Sequence, residues 1–149
     1  MLLPQPLLEG TLLRRYQRFF ADVELADGRM VTAHTPNTGS MKQCAVPGHR
    51  VLLSTSTNPT RKLPYTWELV EVNSHWADVN TLRANRVVEE ALRSGLIPEF
   101  AGGTVRAEFP WGISRFDFLL ECAGERTLLE VKNVTLCCAE KQACFPDAV

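Results

Sequence analysis

The sequence predicts an α+β protein in two parts: a small β-barrel of about five strands over residues 1–76 and a helix-plus-sheet unit over residues 77–149. Three observations predict it. Short runs with period-two alternation, punctuated by turn residues, fill the first seventy positions. A single stretch of helical periodicity follows, and it ends on a glycine. Three strand-like runs come after the helix, and the last two read as a hairpin.

In chain order, Leu12-Leu13 and Phe19-Phe20 flank the cationic stretch Arg14–Arg18, and Ala21–Leu25 alternates into the turn signal Asp27-Gly28. Met30–His34 is the return strand. Pro36–Gly39 is a loop, Pro47-Gly48 a turn, Arg50–Ser54 a strand, Thr57–Pro59 a turn, and Thr66–Val72 the last strand of this half. The oligonucleotide-binding (OB) barrel is the usual barrel of that size, with an SH3-like barrel as the alternative. Asn73–Asn80 reads as the junction. Thr81–Ser94 has helical spacing through Leu82, Val87, Val88, Ala91 and Leu92, and Gly95 stops it as a C′ glycine does. A loop with Pro98 and Gly102-Gly103, a strand at Thr104–Phe109 and the turn Pro110–Gly112 lead into the hairpin.

That hairpin carries the chemistry. With Cys122–Glu125 as its turn, directly opposed residues sum to 247, so Asp117 faces Glu130 and Arg115 faces Lys132. Alternation sends Phe116, Phe118, Leu129 and Val131 to the other, buried face. Two carboxylates brought across a strand pair repel unless a cation lies between them, and hard oxygen donors favour Mg²⁺ or Mn²⁺. Lys132 beside them could polarise a water or stabilise developing charge. Taken alone, Glu-x-Lys on the wet side of a hairpin is common, and it is the register with Asp117 that points to metal-assisted phosphodiester chemistry.

The chain has 149 residues, 45% hydrophobic and 22% charged, enough for a real core. No apolar run approaches the roughly 20 residues that span a bilayer, and Met1–Pro4 lacks the basic start of a secretory signal, so a cytoplasmic protein is expected. The five cysteines are odd in number and lack the paired spacing of a zinc site, which makes reduced thiols the default reading. The net charge of −1 is unevenly spread: residues 1–72 carry +2 and residues 73–149 carry −3. The basic side chains thus lie in the barrel half. Arg14, Arg15, Arg18, Arg61 and Lys62, with Tyr16 or Tyr65 available for stacking, are candidates for DNA contacts made mainly through phosphates.

Six blocks, Thr32–Met41, Arg61–Glu68, Asn80–Arg86, Ser114–Phe118, Glu130–Leu136 and Phe145–Val149, together resemble the sugar fermentation stimulation protein family, in order and over nearly the whole chain. The resemblance implies an N-terminal OB barrel joined to a restriction-endonuclease-like domain of the PD-(D/E)XK type, in a cytoplasmic DNA-binding protein linked to sugar (maltose) utilisation. It implies Asp117 as the motif aspartate, Glu130 and Lys132 as the acid and lysine of E-x-K, and Glu90 as a tentative third metal ligand from the helix. Glu89 lies about 100° away around the helix. Arg115 joins the expected DNA contacts. Two functions stay open: a Mg²⁺- or Mn²⁺-dependent nuclease, and an inactive nuclease fold that binds DNA or regulates.

Family members continue well beyond the Phe145–Val149 block, so the second domain is expected to lack its last helix and strand and to leave an apolar sheet face that favours self-association. A compact monomer in light scattering would count against that expectation. No helix-turn-helix pair is legible. His34, His49 and His75 read as structural, Trp67 and Trp76 as core or junction residues, and Trp111 as a packing or contact residue. Asn37–Ser40 reads either as an anion-binding nest or as a tight turn that needs Gly39.

Overall fold

The structure, a computed structural model, describes residues 1–139 and 142–145. Of the block Phe145–Val149, only Phe145 is therefore described. The chain forms two compact units. One holds Leu2–Thr81 with the described residues from Asn133 on, and the other holds Leu82–Lys132 with Met1.

The first unit is built on β1 (Leu7–Tyr16), β2 (Phe20–Leu25), β3 (Met30–His34), β4 (Arg50–Thr55), β5 (Tyr65–Val72) and β6 (His75–Asp78). Their order is β3-β2-β1-β4-β5-β6, and a further β3–β5 pairing closes the sheet on itself. That closing pair is parallel, Ala33 with Tyr65 and His34 with Thr66, while the other pairs are antiparallel. β1 serves both sides, pairing regularly with β4 from Leu7 to Thr11 and with β2 across an irregularity between Leu12 and Arg14. A bulge of this kind bends a long strand around a barrel. The result is the OB-like barrel, not the SH3-like alternative. Its core holds Leu12, Val23, Val51, Leu53, Trp67 and Val70, all fully buried, at the inward positions of alternating strands.

β6 lies in the stretch that reads as a junction. Asn73 and Ser74 both have positive φ (50° and 63°), the geometry of a type I′ hairpin turn made without glycine. The Arg50 guanidinium lies 5.5 Å over the half-exposed Trp76 ring, so Trp76 is a surface residue and Trp67 alone of the two is core. A buried carboxylate ties the chain together here. Glu68, 2% exposed, accepts from Ser54 Oγ at 2.5 Å and from Asn80 Nδ2 at 2.7 Å. A buried acid so bonded fixes the exit of the chain from the barrel.

β10 (Leu136–Ala139) and β11 (Gln142–Cys144) pair antiparallel. Gln43 clamps this segment, with Nε2 donating to the Cys137 carbonyl at 2.9 Å and Oε1 accepting from Cys137 N–H at 2.8 Å. Cys138 and Cys144 are neighbours in this hairpin, Cα atoms 6.0 Å apart, within the span a disulfide bridges. The hairpin thus brings Cys138 and Cys144 together, while Cys44, Cys122 and Cys137 stand apart from them.

The second unit consists of α1 (Ala84–Arg93), entered through a 3-10 turn at Thr81–Arg83, and the sheet β7 (Thr104–Trp111), β8 (Ser114–Cys122) and β9 (Glu125–Leu129) in the order β7-β8-β9. The helix ends as read. Gly95 N–H bonds the Leu92 carbonyl and Leu96 N–H bonds the Ala91 carbonyl, a Schellman stop. Leu92 and Val88 of the helix pack with Phe118, Leu120, Val105, Leu129 and Val131. On the opposite face Arg106 and Arg126 lie 5.1 and 5.9 Å from the Phe109 ring, and Arg126 lies 5.8 Å from the Trp111 ring. The left-handed backbone of Glu108 (φ 52°) interrupts the alternation that would otherwise put Phe109 on the helix side.

Candidate functional site

The geometry of the hairpin starts at its turn. β8 ends at Cys122 and β9 begins at Glu125, leaving Ala123 and Gly124 at positive φ (51° and 83°). A two-residue turn of this type fixes the register, and the paired residues do sum to 247, from Cys122 with Glu125 to Phe118 with Leu129. Continued by one step, that register would set Asp117 against Glu130. The ladder stops one residue short of it, for a local reason. Asp117 Oδ2 accepts the Val131 N–H at 2.7 Å, so a side chain takes a main-chain donor and the strand ends at Leu129.

The other oxygen, Asp117 Oδ1, accepts from Asn85 Nδ2 at 2.7 Å. Asn85 shares a helix stripe with Val88 and Leu92, the residues that pack on the sheet. Two bonds thus fix the half-buried Asp117 carboxylate, and each oxygen keeps a lone pair for a further partner. Lys132 Nζ donates to Glu130 Oε1 at 2.7 Å. The Glu130 carboxylate, and beyond it that of Asp117, holds the Lys132 amine above its ordinary pKa, so it stays an ammonium. The three groups therefore form one polar corner with two acids and one cation.

Glu90 is placed differently. Its carboxylate receives the N-terminal ammonium of Met1, and it lies about 140° around the helix from Asn85. Glu89, one turn from Asn85 and on its side of the helix, is bound by Arg93 at 2.8 Å. Among the described residues no three of His, Cys, Asp or Glu gather as a metal-binding group. The donor set at the hairpin is thus two carboxylates. It fits a hard cation of the Mg²⁺ kind, which keeps several waters and takes one or two carboxylates from protein. Arg115, the remaining expected contact of this unit, lies 3.4 Å from Glu108.

Of the basic residues of the barrel, the expected contacts Arg14, Arg15, Arg18, Arg61 and Lys62 lie toward one end of it. Phe20 pairs with Tyr16 on one side and with His34 on the other, His34 pairs with Thr66, and Thr35 N–H bonds the Phe19 carbonyl. The β1–β2 turn therefore meets the end of β3 and the start of β5. Arg14 bonds Asp22 at 2.7 Å and lies 4.8 Å over the Tyr16 ring, which stacks on Phe20 with centroids 5.4 Å apart. Arg15 Nη2 donates to the carbonyls of Arg18 (2.9 Å) and Asn37 (2.8 Å). Arg61 is near enough to His34 that its charge, after burial, lowers the imidazole pKa. Lys62 is exposed beside Arg61 in the β4–β5 loop. Loops after β1 and β4 are the ones that hold nucleic acid on OB barrels.

Asn85 was not legible as a site residue. Its signal was only its position one turn ahead of the buried stripe of α1, and its partner lies 32 residues away.

Two sequence-family models match the chain: the SfsA N-terminal OB domain over residues 13–79 and the sugar fermentation stimulation protein RE domain over residues 82–149. The chain is 64% identical over its whole length to the sugar fermentation stimulation protein homolog of Syntrophotalea carbinolica, and 57% identical to that of Geobacter metallireducens. It covers 64% and 65% of those two proteins, so it spans about two thirds of their length. The fold is similar to Pyrococcus furiosus SfsA solved in complex with Ca²⁺, with a TM-score of 0.84 and 26% identity over 98% of this chain and 62% of that one.

Proposed function

The chain belongs to the sugar fermentation stimulation protein family, and from that premise we propose that it binds DNA on its barrel and hydrolyses phosphodiester bonds at the Asp117–Glu130–Lys132 corner with a divalent cation. The observation that carries the reading is the fixed Asp117 carboxylate, bonded by Asn85 and Val131 one step beyond the last paired residues of the hairpin. A surface Glu-x-Lys has no need of such a clamp. The Ca²⁺ held by the Pyrococcus protein supports an oxygen-donor site in the family.

Asp117 and Glu130 would hold the cation, most naturally Mg²⁺ or Mn²⁺, through the lone pairs left free by their hydrogen bonds. When bound, it would supply charge neutralisation at the phosphate and a more acidic water. Lys132 brings a positive charge and hydrogen-bond donors to the corner through its contact with Glu130. It donates from Nζ, either to orient a water or to steady the negative charge that develops on phosphate oxygens. Arg14, Arg15, Arg18, Arg61 and Lys62 would meet phosphates.

A second reading, a nuclease fold kept for binding alone, is favoured by the absence of a third acidic ligand among the described residues. Supercoiled plasmid incubated with Mg²⁺ or Mn²⁺ separates the two. The first reading expects cleavage that chelation abolishes and that falls at least a hundredfold in Asp117→Ala and Lys132→Ala, in line with about 3 kcal/mol per lost transition-state contact. Retained DNA binding with no cleavage in either metal would select the second.

A further inference from the structure

We infer that the cleft between the β1–β2 turn and the Pro36–Met41 loop, lined by Arg15, Arg18, Thr38, Gly39 and Ser40, binds a phosphate monoester dianion. The cleft has a volume of about 450 Å³, ample for one phosphate group with part of its ester. It rests on the nucleic-acid reading only for the source of that phosphate, which is either the terminal phosphate of a strand or a small phosphorylated molecule.

Charge makes the argument. Among the described residues Arg15 and Arg18, like Arg61, Arg86 and Arg106, have no acidic partner, and these two share one cleft whose lining contains no acid; the arginines Arg14, Arg29, Arg50, Arg93, Arg115 and Arg126 are all paired. Arg15 is half-buried, and burial first, then the charge of Arg18, lowers its pKa. The fold therefore keeps two guanidiniums close enough to repel, one of them partly desolvated, with nothing of opposite sign between them. An anion in the cleft would relieve that cost. An internal phosphodiester brings one negative charge and leaves one guanidinium unbalanced. A monoester brings close to two at neutral pH and matches both.

The donors are held in advance. Arg15 uses Nη2 to bond the carbonyls of Arg18 and Asn37, which locks its guanidinium between the two loops, while its buried Nε has no partner among the described residues. Thr35 N–H to the Phe19 carbonyl at 2.7 Å ties the same loops a second time. Asn37 Oδ1 accepts the Gly39 N–H at 2.8 Å and shapes the Thr38–Ser40 turn, whose two hydroxyls complete the lining. A guanidinium plus hydroxyls on a fixed turn is the usual equipment for a compact oxyanion.

The test uses the whole chain and four probes: one oligonucleotide with a 5′-phosphate, the same strand with a 3′-phosphate, the same strand with hydroxyl ends, and inorganic phosphate. Fluorescence anisotropy reads the oligonucleotides, and amide chemical shifts of Thr38, Gly39 and Ser40 read all four. A phosphorylated end is expected to bind about tenfold tighter than hydroxyl ends, as one charge-assisted contact gives, with the difference lost in Arg18→Gln. Inorganic phosphate moving the three amides in the parent and not in Arg18→Gln, with no strand bound, supports the site with a small molecule as source and removes the nucleic-acid reading. Strands that bind alike whatever their ends, with amides unmoved by phosphate, overturn the site and leave the nucleic-acid reading intact.

Discussion

Asn85 and Val131 determine where the Asp117 carboxylate points, because each of its oxygens has one bond of 2.7 Å from the protein. A carboxylate aimed in advance loses little freedom when it takes up a cation, and partners that orient a ligand are commonly worth a factor of ten or more in metal affinity. Asn85→Ala is therefore expected to weaken Mn²⁺ uptake about tenfold while leaving the thermal midpoint within a few degrees, read by titration and by melting on one sample. Lys132→Gln should act differently, lowering cleavage and leaving the ion bound, since its amine donates hydrogen bonds and offers no lone pair while it is an ammonium.

At the level of elements, the barrel depends on β1 passing close to β2. A Cβ added at Gly10 would lie 2.5 Å from Val23 Cγ1 and 2.6 Å from the Glu24 carbonyl oxygen. One of these is backbone and cannot swing aside. Gly10→Ala should cost on the order of 1–3 kcal/mol, seen as a lower urea midpoint with an unchanged slope. Much of this architecture was readable because its signals are local. Asp27-Gly28 marks the β2–β3 turn, Gly95 stops α1, and the Cys122–Glu125 turn sets the β8–β9 register as far as Phe118 and Leu129 by arithmetic alone. The misses are non-local or lack a distinctive residue. β6 follows a turn of Asn73 and Ser74, with no glycine to announce it. β10 and β11 are held by Gln43, more than ninety positions earlier. The early end of β9 comes from a side chain competing for a main-chain donor, which alternation cannot show.

For the whole molecule, a net charge of −1 means that any affinity for nucleic acid must come from the distribution of charge and not from its sum. Arg15, Arg18, Arg61 and Lys62 supply it at one end of the barrel, so binding should be steeply salt-dependent and nearly indifferent to sequence. Removing Arg61 and Lys62 together is expected to lower affinity alike for unrelated sequences and to reduce the slope of log affinity against log salt by about one to two. An unchanged slope would place the contacts elsewhere. In the second unit everything depends on Asp117 and Glu130 sharing one cation, with Lys132 beside them. Calorimetric titration of Mn²⁺ into the chain, Asp117→Ala and Glu130→Ala tests this most directly: the account predicts one ion taken up by the parent and lost in both variants, and it is contradicted by a parent that takes up none or by variants that bind as the parent does.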